Sequence, residues 1–472
     1  MAVAVESSAL GLELQRISAK PGSPYYMLEM FVNAGGRQLS PLQPTACDVD
    51  RDYKGAYMDD HSVTMQYGAG TVIFDIAPFQ DDLTITIKRH VLSGFNGGEG
   101  DGAIEARTYT AYLTDDIPRG PEISAAPQFK DRETANRSKT MTLTFVLEEV
   151  AVTQLRKMSI GTIVRATPPY MVLKTFISNA LKSIQVPTDS KIGGFQMEEP
   201  SNKAPRDHIE LEDGTELVEL ADLLQNEKGG IYSSGLGFYI QGQFTYAWPL
   251  YDTKRLDKAK RVLQIFLAPS QSTSGVDRTW SDDGRCISVW SAGAPKLLND
   301  SLDILNTEGN ATRFSDANNL IGGMGKAEGN KFTMNRSTNN SEFATTVVGN
   351  GSMYAKKSKA GFTTNPYVEA SKMARRSGQF MLVPWECSNP DLLIPSMAVE
   401  VYYDAGGEIK IMSGTLTGGK SQYVLQGKGP TPNRAFKCKT MIEVFLDRDD
   451  PDFKAFLAKG GSISGTPQID PL

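Results

Sequence analysis

The chain has 472 residues, 40% hydrophobic and 22% charged, with a net charge of −6. That length exceeds one ordinary core, so about three domains are expected. The acidic balance argues against a nucleic-acid-binding face, no run of roughly 18 apolar residues offers a transmembrane helix, and the opening MAVAVESSALGLELQR has no basic stretch ahead of an apolar one, so no secretory signal is read there.

From Tyr25 to Glu149 the signals are mostly β. Strands are expected at Tyr26 to Val32, Thr71 to Ile76, Leu83 to Lys88, Arg107 to Leu113 and Met141 to Glu148. Leu83, Ile85 and Ile87 alternate with Thr84, Thr86 and Lys88, the period of a half-buried strand. GFNGGEGDG (94–102) reads as a flexible loop, and Arg119 to Asn136 as a long polar connection or extended arm. A mixed zone begins near Thr153. Behind Pro168-Pro169, residues Leu173, Phe176, Ile177, Ala180, Leu181 and Ile184 fall at helical spacing. A second helix is expected over Glu216 to Leu224 with Thr215 as N-cap, and an irregular stretch from Pro187 to Asp213. The zone ends in YIQGQFTYAWPLY and the strand-like KRVLQIFLAP.

The third zone has an Asn/Gly-rich entry, RFSDANNLIGGMGKAEGNKFTMNRSTNNSEF, then a short amphipathic segment and a train of strands. Met397, Val399, Val401 and Tyr403 share one strand face. Ala405-Gly406-Gly407 and Gly418-Gly419 read as hairpin turns. Cys438, Thr440, Ile442 and Val444 lie on one face of a closing strand, with Lys437, Lys439 and Glu443 on the other. Such short strands fit a small antiparallel barrel or sandwich. A helix over Asp452 to Ala458 and a polar tail follow.

Chemistry is sparse. His61, His90 and His208 lie in unrelated contexts and read as structural or exposed. Cys47, Cys286, Cys387 and Cys438 are single and lack metal-ligand spacing, so reduced thiols are expected. Gly322-Gly323-Met324-Gly325-Lys326 fails as a phosphate loop: Leu320 stands where the first Gly belongs, and Ala327 where Ser or Thr would hold magnesium. In the acidic run Asp447, Asp449, Asp450 and Asp452, Pro451 interrupts any calcium loop, and the carboxylates suit a helix start. Glu148-Glu149 and Asp81-Asp82 are adjacent pairs whose members point to opposite strand faces, so neither flanks a glycosidic bond. Tyr239, Phe244, Tyr246 and Trp248 read as core or subunit interface ahead of a sugar platform. No catalytic, cofactor-binding or metal-ligating residue is assigned.

DANNLIGGMGKAEGNK, the Ala374-Arg375-Arg376-Ser377-Gly378 turn and LLIPSMAVEVYY, in this order, resemble the second barrel of baseplate hub proteins from contractile-tailed bacteriophages, which are similar to the barrel-containing base of VgrG-type spike proteins. Trp248-Pro249-Leu250-Tyr251 is similar to the end of the small α/β insertion of those hubs. Where the family usually reads Pro-Gly-Met, this chain has Ser396. The resemblance covers roughly two thirds of the chain and implies a mainly β, multidomain fold with two small antiparallel, tail-tube-like barrels. Its divisions would be a first barrel at 1–152, an α/β insertion at 153–270, a second barrel at 271–450 and a helix and tail at 451–472. It implies a virion protein assembled in the host cytoplasm. A homotrimer would join the sixfold tail tube to the threefold central spike, touching wedge proteins and the tape measure protein and leaving a channel for ejected DNA. Two other readings are a tail-tube initiator or adaptor ring and a cell-wall hydrolase on a β scaffold.

Overall fold

The computed structural model describes residues 17, 25–92, 105–114, 131–268, 279–298, 365–405, 408–426 and 435–458, with four short strands between 311 and 357. The fold is mostly β, built on one large mixed sheet.

The N-terminal strands are β1 (Tyr25–Ala34), β2 (Arg37–Leu39), β3 (Gln43–Asp52), β4 (Asp60–Gly68), β5 (Leu83–Val91), β6 (Glu105–Leu113) and β7 (Thr140–Glu149). The four expected at β1, β5, β6 and β7 are present; the period-2 apolar faces that predicted them point inward, with Leu28, Met30, Val32, Leu83, Ile85, Leu143, Phe145 and Leu147 buried. The strand expected at Thr71 to Ile76 is helical instead, Ala69–Thr71 running into a π-helical turn Val72–Ile76. Val72 and Ile76, one turn apart, go inside, and Asp75 pairs with Arg132 at 3.0 Å. The run is apolar enough for either period, and closing the end of the sheet favoured the helix. Part of the expected arm is likewise a helix, α1 (Arg132–Ser138), whose first turn is capped by Asp131 accepting from the Thr134 amide at 2.8 Å. The 94–102 loop and the rest of that arm lie outside the described residues.

The middle zone contains α2 (Val150–Arg156), β8 (Ser159–Thr167), α3 (Pro169–Ser183), β9 (Gly194–Met197), β10 (Arg206–Glu216), α4 (Leu220–Asn226), β11 (Leu236–Gln241) and β12 (Phe244–Pro249). The α3 helix follows the expected stripe, burying Val172, Leu173, Ile177 and Ala180. The stretch expected to be irregular carries β9 and β10. Thr215 lies in β10, its hydroxyl donating to Glu212 O at 2.8 Å, so it caps no helix; α4 starts at Leu220. The polar outer face of the β8–β10 ribbon had hidden its strand pattern.

Then come β13 (Val262–Ala268), β14 (Trp280–Asp282), β15 (Cys286–Ala292), β16 (Lys296–Leu297), the short β17 (Ala311–Phe314), β18 (Met334–Arg336), β19 (Glu342–Ala344) and β20 (Tyr354–Lys357), α5 (Pro366–Arg376), β21 (Gly378–Glu386), β22 (Ala398–Asp404), β23 (Ile409–Gln426), β24 (Ala435–Asp447) and α6 (Pro451–Ala458). Gly418-Gly419 makes no hairpin: it is a bulge inside the 18-residue β23. A Cβ on Gly418 would sit 2.3 Å from Arg51 O, so glycine here serves close backbone approach.

That bulge organises the molecule. Before it, Ile409 to Thr415 of β23 pair with β22; after it, Gly418 to Val424 pair with β3. The partner strand β24 pairs with β1 through Ala435, Phe436 and Lys437 and with β21 from Lys439 onward. The first group therefore runs β23, β3, β4, β7, β6, β5, β1, β24 and back to β23, a closed circuit of pairings. The second runs β16, β21, β24, β23, β22, β13, β15, β14. Its ends meet where Ser291 Oγ donates to Pro384 O at 2.6 Å and Trp385 Nε1 to Thr279 Oγ1 at 2.9 Å. Each group has its own core: Val63, Phe145, Tyr423 and Phe436 in one, Val289, Trp385, Val401 and Val444 in the other. A third core lies among α2, α3, α4, β8 and β10.

Candidate functional site: a charged mouth and two shared strands

Along five neighbouring strands of the first circuit the inward positions are apolar until the last step, and then become ionisable at one end. The steps are Val49 to Arg51 on β3, Val63 to His61 on β4, Ile87 to Arg89 on β5, Tyr109 to Arg107 on β6 and Leu147 to Glu149 on β7. Two residues along a strand is about 6–7 Å, and all five groups line one cavity at the mouth, staggered by the strand register. The β11–β12 turn and the chain from Pro390 to Met397 cover it, leaving a cavity of about 520 Å³.

Burying such charges is costly unless they are paired. Arg51, 6% exposed, donates from Nε to Asp59 Oδ2 at 3.1 Å and from Nη1 to Pro390 O at 2.7 Å. Arg89 pairs with Asp391 and donates to Tyr423 Oη at 3.0 Å. Arg107 lies 3.1 Å from Glu149 Oε1 and donates to Gly242 O, which ties the middle zone to the mouth. Burial lowers the His61 pKa to about 4 against the opposing pull of Asp59, so the ring is neutral near pH 7. Burial is the largest single influence on Arg51 and works against its charge, but Asp59 together with Tyr53, Tyr239 and Tyr423 outweighs it and holds the pKa above the ordinary value. Burial raises Tyr53 and Tyr239 beside them.

The middle zone is fixed to the second group differently. Tyr239, Tyr246 and Trp248 of β11 and β12 enter the second core. Arg255, 1% exposed, pairs with Glu198 and donates to Met397 O at 3.1 Å and Thr415 Oγ1 at 3.0 Å. Of the four aromatics noted in the sequence, only Phe244 is exposed, at the cavity rim.

The remaining candidates separate. Glu148 and Glu149 do face opposite sides: Glu148 accepts from Tyr112 Oη at 2.9 Å, Thr153 Oγ1 at 2.9 Å and Arg156 Nη1 at 2.8 Å, while Glu149 joins the mouth. Asp81 and Asp82 are exposed in a turn. In the C-terminal acidic run, Asp450 accepts from the Ser413 amide and Asp452 from the Ile411 amide, each at 3.1 Å, so these carboxylates tie α6 to β23. His90 is buried 3.9 Å from Glu29 and His208 is exposed. All four cysteines are free, and burial pushes the thiols of Cys47 and Cys438 up to about 12 and about 11. Residues 322–326 lie outside the described residues. Among the described residues no cluster of three or more His, Cys, Asp or Glu is placed to hold a metal, and no helix is long and apolar enough to cross a membrane. Sequence reasoning missed Arg51, Arg89, Arg107, Asp59 and Asp391; the available signal was a strand whose apolar face ends in a charge.

The sequence matches no family model and no curated protein. Among solved structures the chain is similar to a tail protein from Neisseria meningitidis, at 13% identity over 90% of this chain and 98% of that one with a TM-score of 0.41. It is also similar to the 43 kDa tail protein of prophage MuSo2 from Shewanella oneidensis, at 12% identity over 88% and 98% with a TM-score of 0.44. A third likeness is to a component of the Escherichia coli type VI secretion system, described as similar to tail proteins of bacteriophage T4, at 7% identity over 89% and 77% with a TM-score of 0.40. At such overlap these likenesses carry no function over to this chain.

Proposed function

We propose that the chain is a structural protein of a contractile phage tail, the central baseplate hub, acting by assembly and not by catalysis. The observation that supports this most is the pair of shared strands. One chain presents two eight-strand groups fused side by side through β23 and β24, and both are read as small barrels. Three such chains would supply six barrel positions around an axis, matching a sixfold tube on one side and a threefold spike on the other. The sequence divisions at 152, 270 and 450 belong to this reading, with β13, ahead of residue 270, contributing to the second group and β23 and β24 common to both barrels. Homotrimerisation, contacts with tube, spike, wedge and tape measure proteins, location in the virion and a channel for DNA all belong to the same proposal.

Light scattering of the purified chain over a range of concentrations, alone and with candidate tube and spike proteins, tests this. A trimer, or a monomer converted to a trimer by the spike protein, is expected. A hexamer would replace the hub by a tube initiator, and a persistent monomer that binds neither neighbour would overturn the assembly role.

A further inference from the structure

The cavity at the mouth has an apolar and a charged lining. Its apolar side is Leu28, Val49, Ile87 and Tyr109; one strand step along from the last three stand Arg51, Arg89 and Arg107, and Leu28 pairs directly with Arg89. Lys260 and Arg261 add two cations at the rim, making five. Against them are Asp59, Glu149 and Asp391 in the wall and Asp282, which holds Arg261 in a bidentate pair at 2.7 and 2.8 Å, making four carboxylates. The cavity is left with an excess of one positive charge in a chain whose net charge is −6. Among the described residues Lys260 has no carboxylate within 4.0 Å: it reaches Gln196 Oε1 at 3.4 Å from an exposed position.

We propose that this cavity binds a small amphipathic monoanion, a carboxylate or sulfonate head on an apolar body. Guanidinium groups match planar carboxylates, and the excess of one charge suits a monoanion better than a phosphate dianion. The apolar body would lie against Leu28, Val49 and Ile87. Eight-stranded circuits are wide enough to hold one small ligand, and about 520 Å³ falls within the range of small-molecule sites. The inference stands apart from the hub reading, since it requires only the first circuit and its cover.

The test is a fluorescence titration of the full chain with 8-anilinonaphthalene-1-sulfonate, followed by displacement with decanoate and with decan-1-ol. One saturable site is expected, with decanoate displacing the probe about tenfold or more better than the uncharged alcohol. Lys260→Glu, at an exposed position, should weaken decanoate several-fold and leave the melting temperature unchanged. Ile87→Phe, with its fold checked by circular dichroism, should reduce the affinity for both competitors by filling the apolar side. Absence of saturable binding, equal displacement by acid and alcohol, or indifference to both variants would overturn the proposal and leave the cavity as a hydrated layer of ion pairs.

Discussion

Ser396 stands where the resembling family places glycine, and its backbone takes φ 70°, the left-handed region. A residue with a Cβ is disfavoured there by roughly 1–2 kcal/mol. Ser396→Gly recovers part of that while loosening the unfolded chain, so a net gain of about 0.5–1 kcal/mol is expected. Ser396→Val should cost more than 1 kcal/mol, on the order of the β-branched penalty at positive φ. Urea midpoints of the two variants check both. His61 carries a second residue-level prediction. Its folded pKa, about 4, lies below the ordinary 6.5. The unfolded chain therefore binds the proton first: the contribution is fully present above about pH 6.5 and is lost as pH falls toward 4. The expected loss is about 1–3 kcal/mol over that window. His61→Gln should flatten this part of the pH–stability profile. An unchanged slope would show that another group governs it.

At the scale of elements, legibility followed periodicity. β1, β5, β6, β7 and the inner faces of β22 and β24 could be read because one face is buried and the other polar. The turn Val72–Ile76 could not, because VIFDI offers apolar residues at both strand and helix periods and only its place over the sheet end decided between them. Gly418-Gly419 misled for a related reason. Glycine marks turns and bulges alike, and the strands that continue on either side are what separate the two. The mouth was hidden because Arg51, Arg89 and Arg107 are distant in sequence and each looks like an ordinary solvated strand end. Only the closed circuit brings them to one cavity. The bulge can be tested directly. Gly418→Ala places a Cβ against Arg51 O, 2.3 Å away, where the carbonyl is backbone and the Cβ is fixed rigidly to its own backbone, so neither can swing aside. A loss of about 1–3 kcal/mol is expected, with the first circuit more affected than the middle zone. Comparing amide exchange in β3 with that in α3 would read the difference, and equal changes in both would refute a local effect.

For the whole molecule, the two shared strands predict how it unfolds. All four tryptophans, Trp248, Trp280, Trp290 and Trp385, lie in or beside the second group, and the first circuit has none. Tryptophan fluorescence therefore reports only one of the two cores. Phe145 is fully buried in the other. Truncating it, Phe145→Ala, removes about 3–5 kcal/mol of packing from the first core. If the groups were independent domains, the fluorescence transition would keep its midpoint while far-ultraviolet circular dichroism split in two. But β23 and β24 cannot leave the first circuit without also releasing the pairs that β22 and β21 make with their other halves. The fluorescence midpoint should therefore fall together with the circular dichroism midpoint, although the nearest tryptophan belongs to a different core. Coincident transitions by both probes, in the parent chain and in Phe145→Ala alike, are the expected result; a fluorescence midpoint that ignores the substitution would show that the shared strands do not couple the two cores.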